Sequence, residues 1–307
     1  MENSYKYTVA GHTFRIILPE GYTDEMYLDQ YSSFASEGGE PLFTLRVSLT
    51  DSLREAACGK VKDIFNDEAP YFWLFERDEA QEGMYPWFFG FSYSRRHPDC
   101  ILHASEDFRN AVVHVSSADP EKLLTFALSN AMMLLYTFTT AFYDTLLVHA
   151  SVVSYKGGGY MFLGRSGTGK STHAGLWLKN IEGAGLLNDD NPVIRVIDGE
   201  VLVFGSPWSG KTPCYKNEYV PLKSVVRLSQ APFNRITSQP PLQAYASLMP
   251  SCSCMRWDHA SSEALHKTVE KVVSVVPCWH LECLPDADAA RTSCAACVPV
   301  ETDSSAL

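Results

Sequence analysis

The string Gly164-Arg165-Ser166-Gly167-Thr168-Gly169-Lys170-Ser171 carries the strongest chemical signal in the chain. Three glycines at these spacings let a backbone fold tightly enough to turn successive N–H groups inward, and a helix opening at the end of the string adds its partial positive charge. That combination suits a phosphate chain. The lysine reaches the β and γ oxygens as a point charge, and the terminal serine hydroxyl ligates Mg²⁺, the hard cation that accompanies such phosphates. Residues 164–171 and the following Thr172 are therefore candidate contacts for a nucleoside triphosphate, with ATP and Mg²⁺ as the expected cofactors.

Three further groups belong with this loop. Asp189-Asp190 ends an apolar run shortly after it, where the side chains of a buried strand emerge beside bound phosphates and a metal-orienting carboxylate is needed. Two adjacent carboxylates permit a division of labour, Asp189 with Ser171 on the metal and Asp190 taking a proton from an attacking hydroxyl. An Asx turn leading into Asn191-Pro192 is the plainer alternative. His149 lies on the strand before the loop strand, so a hairpin brings it alongside; a hydrogen-bonded core histidine is the competing reading. Lys211, in the turn Pro207-Trp208-Ser209-Gly210-Lys211, supplies a cation for γ-phosphoryl oxygens or an acidic substrate if that turn returns to the site. His149, Lys170, Asp189, Asp190 and Lys211 form the candidate catalytic set.

These residues need a strand, a loop and a helix in series, and the patterning provides them. Leu146–Val153 reads as a strand, Tyr155–Gly159 as a tight turn, Tyr160–Gly164 as a second strand, and the residues after Lys170 as an amphipathic helix. Asp198-Gly199 between PVIRVI and EVLVFG is a strong hairpin signal. Two hairpins so close together argue against a purely parallel wound sheet. Upstream, apolar segments at Tyr5–Val9, Thr13–Leu18, Leu42–Leu49, Tyr71–Glu76, Pro86–Ser94 and Ala111–Ser116 predict an antiparallel sheet. Asp119-Pro120-Glu121 reads as an N-cap followed by proline, opening a helix that runs to about Tyr143. The organisation expected is a β-rich domain over 1–118 and a nucleotide-binding domain over 119–307, with the helix as the joint.

Leu147-Val148-His149-Ala150-Ser151-Val152-Val153, a short glycine turn, GxSGxGKS and an Asp-Asp strand end together resemble the HPr kinase/phosphorylase-related family of the phosphoenolpyruvate-carboxykinase-like P-loop fold. PVIRVIDGEVLVFGSPWSGK is similar to the segment after the Asp pair in HPr-kinase-related proteins. The resemblance spans about Leu146 to Lys211 and extends more weakly to Leu284. It implies an α/β fold whose P-loop domain has a mixed sheet with helices, and an ATP-dependent phosphotransferase using a histidine at position 149 and the Asp pair. In HPr-kinase-like relatives the second Asp is the base, whereas in carboxykinases it is the metal ligand, so both assignments of Asp189 and Asp190 stay open. HPr kinases proper follow the loop with an acidic residue and carry a later Gly-rich segment. Here Thr172-His173 follow and that segment is absent, leaving the acceptor open between a small molecule and a protein. A nucleotide-binding regulatory module without phosphoryl transfer and a carboxykinase are the alternative functions.

Composition limits the partners. Among 307 residues, 25 Lys and Arg against 36 Asp and Glu give a net charge of −11, which leaves no basic stripe for nucleic acid or an anionic membrane. The apolar stretch Leu123–Ala150 is interrupted by Ser129, Asn130, Asp144 and His149, and reads as a buried helix and strand rather than a span. The N-terminal residues alternate and carry charge where a secretory signal has an apolar core, so a cytoplasmic protein is expected. Nine irregularly spaced cysteines suggest free thiols, with neither a disulfide framework nor a zinc site. A homo-oligomer is compatible with all of this.

Overall fold

The computed structural model describes residues 3–53, 60–65, 70–76, 85–210, 212–255 and 257–298. The chain is mixed α/β and divides into two compact units, Met1–Thr140 and Ala141–Leu307.

The first unit is built on an eight-stranded sheet: β1 (Asn3–Val9), β2 (His12–Leu18), β3 (Thr44–Thr50), β4 (Lys60–Phe65), β5 (Tyr71–Glu76), β6 (Trp87–Ser92), β7 (Cys100–Ala104) and β8 (Asn110–Ser116). Their order across the sheet is β1-β2-β3-β8-β7-β6-β5-β4. Ala10 and Gly11, with φ of 48° and 78°, make the tight β1/β2 turn that matches strand twist. The purely antiparallel sheet expected from the sequence is corrected at two places, because β3 pairs parallel with both β2 and β8. The reason lies in the connections. Residues 19–43, with helical turns at Asp24–Tyr27 and Asp29–Phe34, are long enough to carry the chain back to the start of β2, whereas short turns enforce antiparallel neighbours. Strands β4 and β7 were not among the segments read from the sequence.

Helix α1 (Pro120–Thr140) packs on β8, β3 and β7. That packing places the boundary between units at Thr140 rather than residue 118, so the helix belongs to the first unit. Leu124, Leu128, Ala131, Met132 and Leu135 are fully buried, alongside a core in which Phe14 stacks on Phe43 with ring centroids 5.0 Å apart. The helix has the length and hydropathy of a membrane span, but 72% of its most apolar window is buried inside the protein, as in a core helix. Its polar residues are satisfied locally. Thr137, Thr139 and Thr140 donate to carbonyls four residues back, and Asn130 Nδ2 donates to the Phe126 carbonyl.

The second unit holds β9 (Thr145–Leu147), β10 (Ala150–Tyr155), β11 (Gly158–Leu163), β12 (Gly185–Asp190), β13 (Val193–Ile197), β14 (Glu200–Phe204), β15 (Tyr219–Gln230), β16 (Arg235–Ser238) and β17 (Cys278–Cys283). Strand order is β12-β10-β11-β15-β14-β13-β9, with β17 also on β15 and β16 on β17. The sheet forks at β15, whose first residues pair with β14 and whose later residues pair with β17. Among the described strands of this unit only β11/β15 and β15/β17 pair parallel. Lys156-Gly157 and Asp198-Gly199, all at positive φ, close the two hairpins. One face packs against α2 (Lys170–Asn180) and α5 (Ala287–Cys297) around Trp177, Phe162, Val226 and Leu281. The opposite face packs against α3 (Pro241–Leu248) and α4 (His259–Val275) around Met161, Leu163, Val225 and Val269.

Candidate phosphate-binding site

Strand β11 is buried along its whole length and delivers the chain to the loop at one end of the sheet. Gly164, Gly167 and Gly169 then take φ of 157°, 76° and 109°, outside the range that most side chains tolerate. At Gly164 space is limiting as well, since a Cβ would lie 3.0 Å from Thr168. Gly169 is the N-cap of α2 and makes no side-chain cap, so the first-turn N–H groups have no side-chain acceptor and are available to an anion, with the helix dipole behind them. Arg165, Ser166, Gly167, Ser171 and Thr172 are exposed, while Thr168 is half-buried.

Lys170 is only 8% exposed. Its Nζ lies 3.1 Å from the Gly164 carbonyl, within its own loop, and 2.9 Å from His149 Nε2. His149 Nδ1 in turn lies 3.1 Å from Asp190 Oδ1. An ammonium group only donates, so Nε2 accepts from Lys170, Nδ1 carries the ring proton, and that proton is donated to Asp190. The result is a hydrogen-bonded relay from the phosphate-loop lysine through a neutral imidazole to a carboxylate. Burial pushes the Lys170 pKa below its ordinary value, and the charges of Asp190 and Asp189 act in the opposite direction.

Strand order explains how these groups meet. β12 lies against β10, not against β11, with Ser151 opposite Asp189 and Ala150 opposite Asp190. Asp189 is buried, and its Oδ1 accepts from Ser151 Oγ at 2.5 Å, while Oδ2 has no hydrogen-bond partner among the described residues. Asp190 carries a positive φ of 139°, a strained conformation for aspartate, and its Oδ2 accepts from Asn191 Nδ2 at 2.7 Å. His149 is fixed from the other side, where its N–H donates to the Ser251 carbonyl at 2.7 Å. The Pro207–Gly210 turn does return to the site. Gly210 N–H donates to the Asp189 carbonyl, Ser209 bridges Asp190, and a Cβ on Gly210 would meet Asp190 Cβ at 3.2 Å. Lys211 lies outside the described residues.

His149, Lys170, Asp189 and Asp190 are thus gathered around one loop. Ser151, Asn191 and Gly210 were missed by sequence reasoning. Ser151 offered one weak signal, a hydroxyl two residues after His149 in an otherwise apolar strand.

Among the described residues no three His, Cys, Asp or Glu side chains form a ready-made metal cage. Mg²⁺ brought by a triphosphate does not need one, because it keeps waters and takes one or two carboxylates together with phosphate oxygens. The partner-free Asp189 oxygen and the exposed Ser171 hydroxyl are a donor set that fits such an ion. The late cysteines are packing residues: Cys278 and Cys297 are buried, which pushes each thiol up to about 12.

No protein-family model matches this sequence, and no curated protein matches it. The functional reading therefore rests on residues and geometry.

Proposed function

We propose that the chain is an ATP-dependent, Mg²⁺-requiring kinase with a phosphoenolpyruvate-carboxykinase-like P-loop domain, similar to the HPr-kinase-related proteins its motifs resemble. Residues 164–172 hold the triphosphate, and Ser171 and Asp189 hold Mg²⁺, which screens phosphate charge when bound. Asp190 accepts the proton of an acceptor hydroxyl, on a small molecule or a protein. The new bond joins that oxygen to the γ-phosphorus, the bond from the γ-phosphorus to the β-bridging oxygen breaks, and ADP leaves. His149 holds the Asp190 carboxylate in place through its Nδ1 proton. The Lys170–His149–Asp190 relay carries this reading. A regulatory module requires a phosphate cradle but has no use for a chain of hydrogen bonds linking it to a strained carboxylate. The described cysteines are all free, which supports a reducing, cytoplasmic setting.

The test is incubation with γ-labelled ATP, Mg²⁺ and fractionated cell extract. Label transferred to a metabolite or protein by the native chain, and not by Asp190→Asn, supports the kinase. Label released only as free phosphate, at equal rates from both, refutes it.

A further inference from the structure

A single row of residues crosses the second sheet at the level of the phosphate loop. Asp190 pairs with Ala150. Continuing the Ser151–Phe162 register by one residue puts Ala150 beside Leu163, the last residue before Gly164. Leu163 pairs with Arg227, Arg227 with His280, and His280 with Thr237. Register partners share a face, and Ala150 and Leu163 both belong to the core on the α3/α4 side, so the row runs along that face. Adjacent strands lie about 4.8 Å apart, which sets Asp190 and Arg227 about 14 Å apart on opposite flanks of the loop.

The two flanks differ in chemistry. On the Asp190 side lie the carboxylates and His149, the groups suited to the metal and the reacting γ-phosphoryl. On the other side Arg227 is exposed, and its guanidinium has no hydrogen bond or ion pair among the described residues, although the chain as a whole is acidic. Its neighbour Arg235 shows the contrast, since both its Nε and Nη2 donate to Glu282, at 2.9 and 2.5 Å. His280 is half-buried and held by Ser229, with Nε2 2.8 Å from Oγ. Gln230, at the end of the same strand, reaches the Gly167 carbonyl at 3.5 Å, which ties β15 to the loop.

We propose that Arg227, with His280 beside it, binds the nucleoside end of the triphosphate. The guanidinium donates to the sugar hydroxyls and the base, and the imidazole flanks them. A triphosphate whose γ end faces Asp190 has to leave the loop on the β15 side for this to hold. The inference rests on the nucleotide-binding reading above, and it adds that the protein selects a nucleoside triphosphate over a bare polyphosphate.

Calorimetric titration with MgATP and with magnesium tripolyphosphate separates the two claims. Arg227→Ala, at an exposed position, is expected to weaken MgATP about tenfold to a hundredfold, as loss of a charged hydrogen bond does, and to leave tripolyphosphate affinity unchanged. Arg227→Lys restores part of the MgATP affinity, and His280→Ala acts in the same direction as Arg227→Ala but more weakly. Unchanged MgATP affinity in Arg227→Ala, or equal losses for both ligands, overturns the subsite while leaving the phosphate loop intact. A native protein that binds neither ligand overturns the nucleotide reading and the subsite together.

Discussion

The two units use similar materials to different ends. Each is a mixed sheet with helices packed on it, yet their irregularities fall in different places. In the first unit the non-glycine residues at positive φ, Ala10 and Phe108, sit in connections between paired strands, where the chain only has to turn. In the second, Asp144, Lys156 and Asp198 also sit in connections, but Asp190 gathers with Gly164, Gly167 and Gly169 at one end of the sheet, around one lysine. Buried polar groups divide in the same way. Those of α1 bond mostly to their own helix, whereas Ser151 with Asp189, Lys170 with His149 and Asn188 with Ser206 bond between elements distant in sequence. Polar satisfaction within one element stabilises it; satisfaction across elements fixes the relative positions of reactive groups. By that measure the first unit is a scaffold, and the groups of the proposed site all lie in the second.

The contrast has measurable consequences. Asp190→Asn is nearly isosteric and removes the proton acceptor, so turnover is expected to fall about 10² to 10⁴-fold with MgATP binding retained; steady-state rates and calorimetry check both halves. If nucleotide affinity falls equally, Asp190 is the metal ligand and Asp189 the base. In the scaffold, Phe14→Ala empties a fully buried, stacked position and is expected to cost about 3 to 5 kcal/mol in denaturant unfolding. The affinity of the molecules that remain folded should not change.

A third consequence concerns pH. Burial holds His173 down at about 4, against about 6.5 in an unfolded chain. Its Nε2 lies 3.0 Å from Ser293 Oγ, and its buried Nδ1 has no partner to receive a charge. Between those two values the unfolded state binds the extra proton. Stability from this site is therefore complete above about pH 6.5 and declines as pH falls toward 4, by about 3 kcal/mol in all. Unfolding midpoints at pH 7 and pH 4.5 should show this slope reduced in His173→Leu. Part of the remainder reports His114 of the first sheet, also held at about 4 by burial and by neighbouring His103.

The smallest effect compares two glycines. Gly210→Ala puts a Cβ against Asp189 and Asp190 and is expected to lower turnover by up to about a hundredfold through misplacement. Gly157→Ala has open space around it and bears only the strain of its positive φ, so it is expected to reduce stability slightly and leave turnover alone. Equal turnover in the two variants would remove the Pro207–Gly210 turn from the account.

Much of this was legible before any coordinates. The strand, loop and helix around residues 160–180, the Asp198-Gly199 hairpin and the Asp119-Pro120 helix start depend on short-range patterns, and each lies where its residues suggest. The parallel pairing of β3 depends on which distant strands meet, and periodicity within a strand carries no record of that. The same limit hid Ser151 and Gly210. A serine in an apolar strand and a glycine in a turn look ordinary until β12 is placed against β10 and the turn is folded back on the Asp pair. For a related reason the sequence shows that the helix before Ala141 has an apolar surface but not which sheet covers it.

The most direct measurement is calorimetric titration of MgATP into the native protein and Lys170→Ala. Saturable, Mg²⁺-dependent binding by the native chain, weakened about tenfold or more by loss of the lysine's charged hydrogen bonds, is the expected result. Identical affinity in the two proteins would contradict the phosphate site and everything built on it.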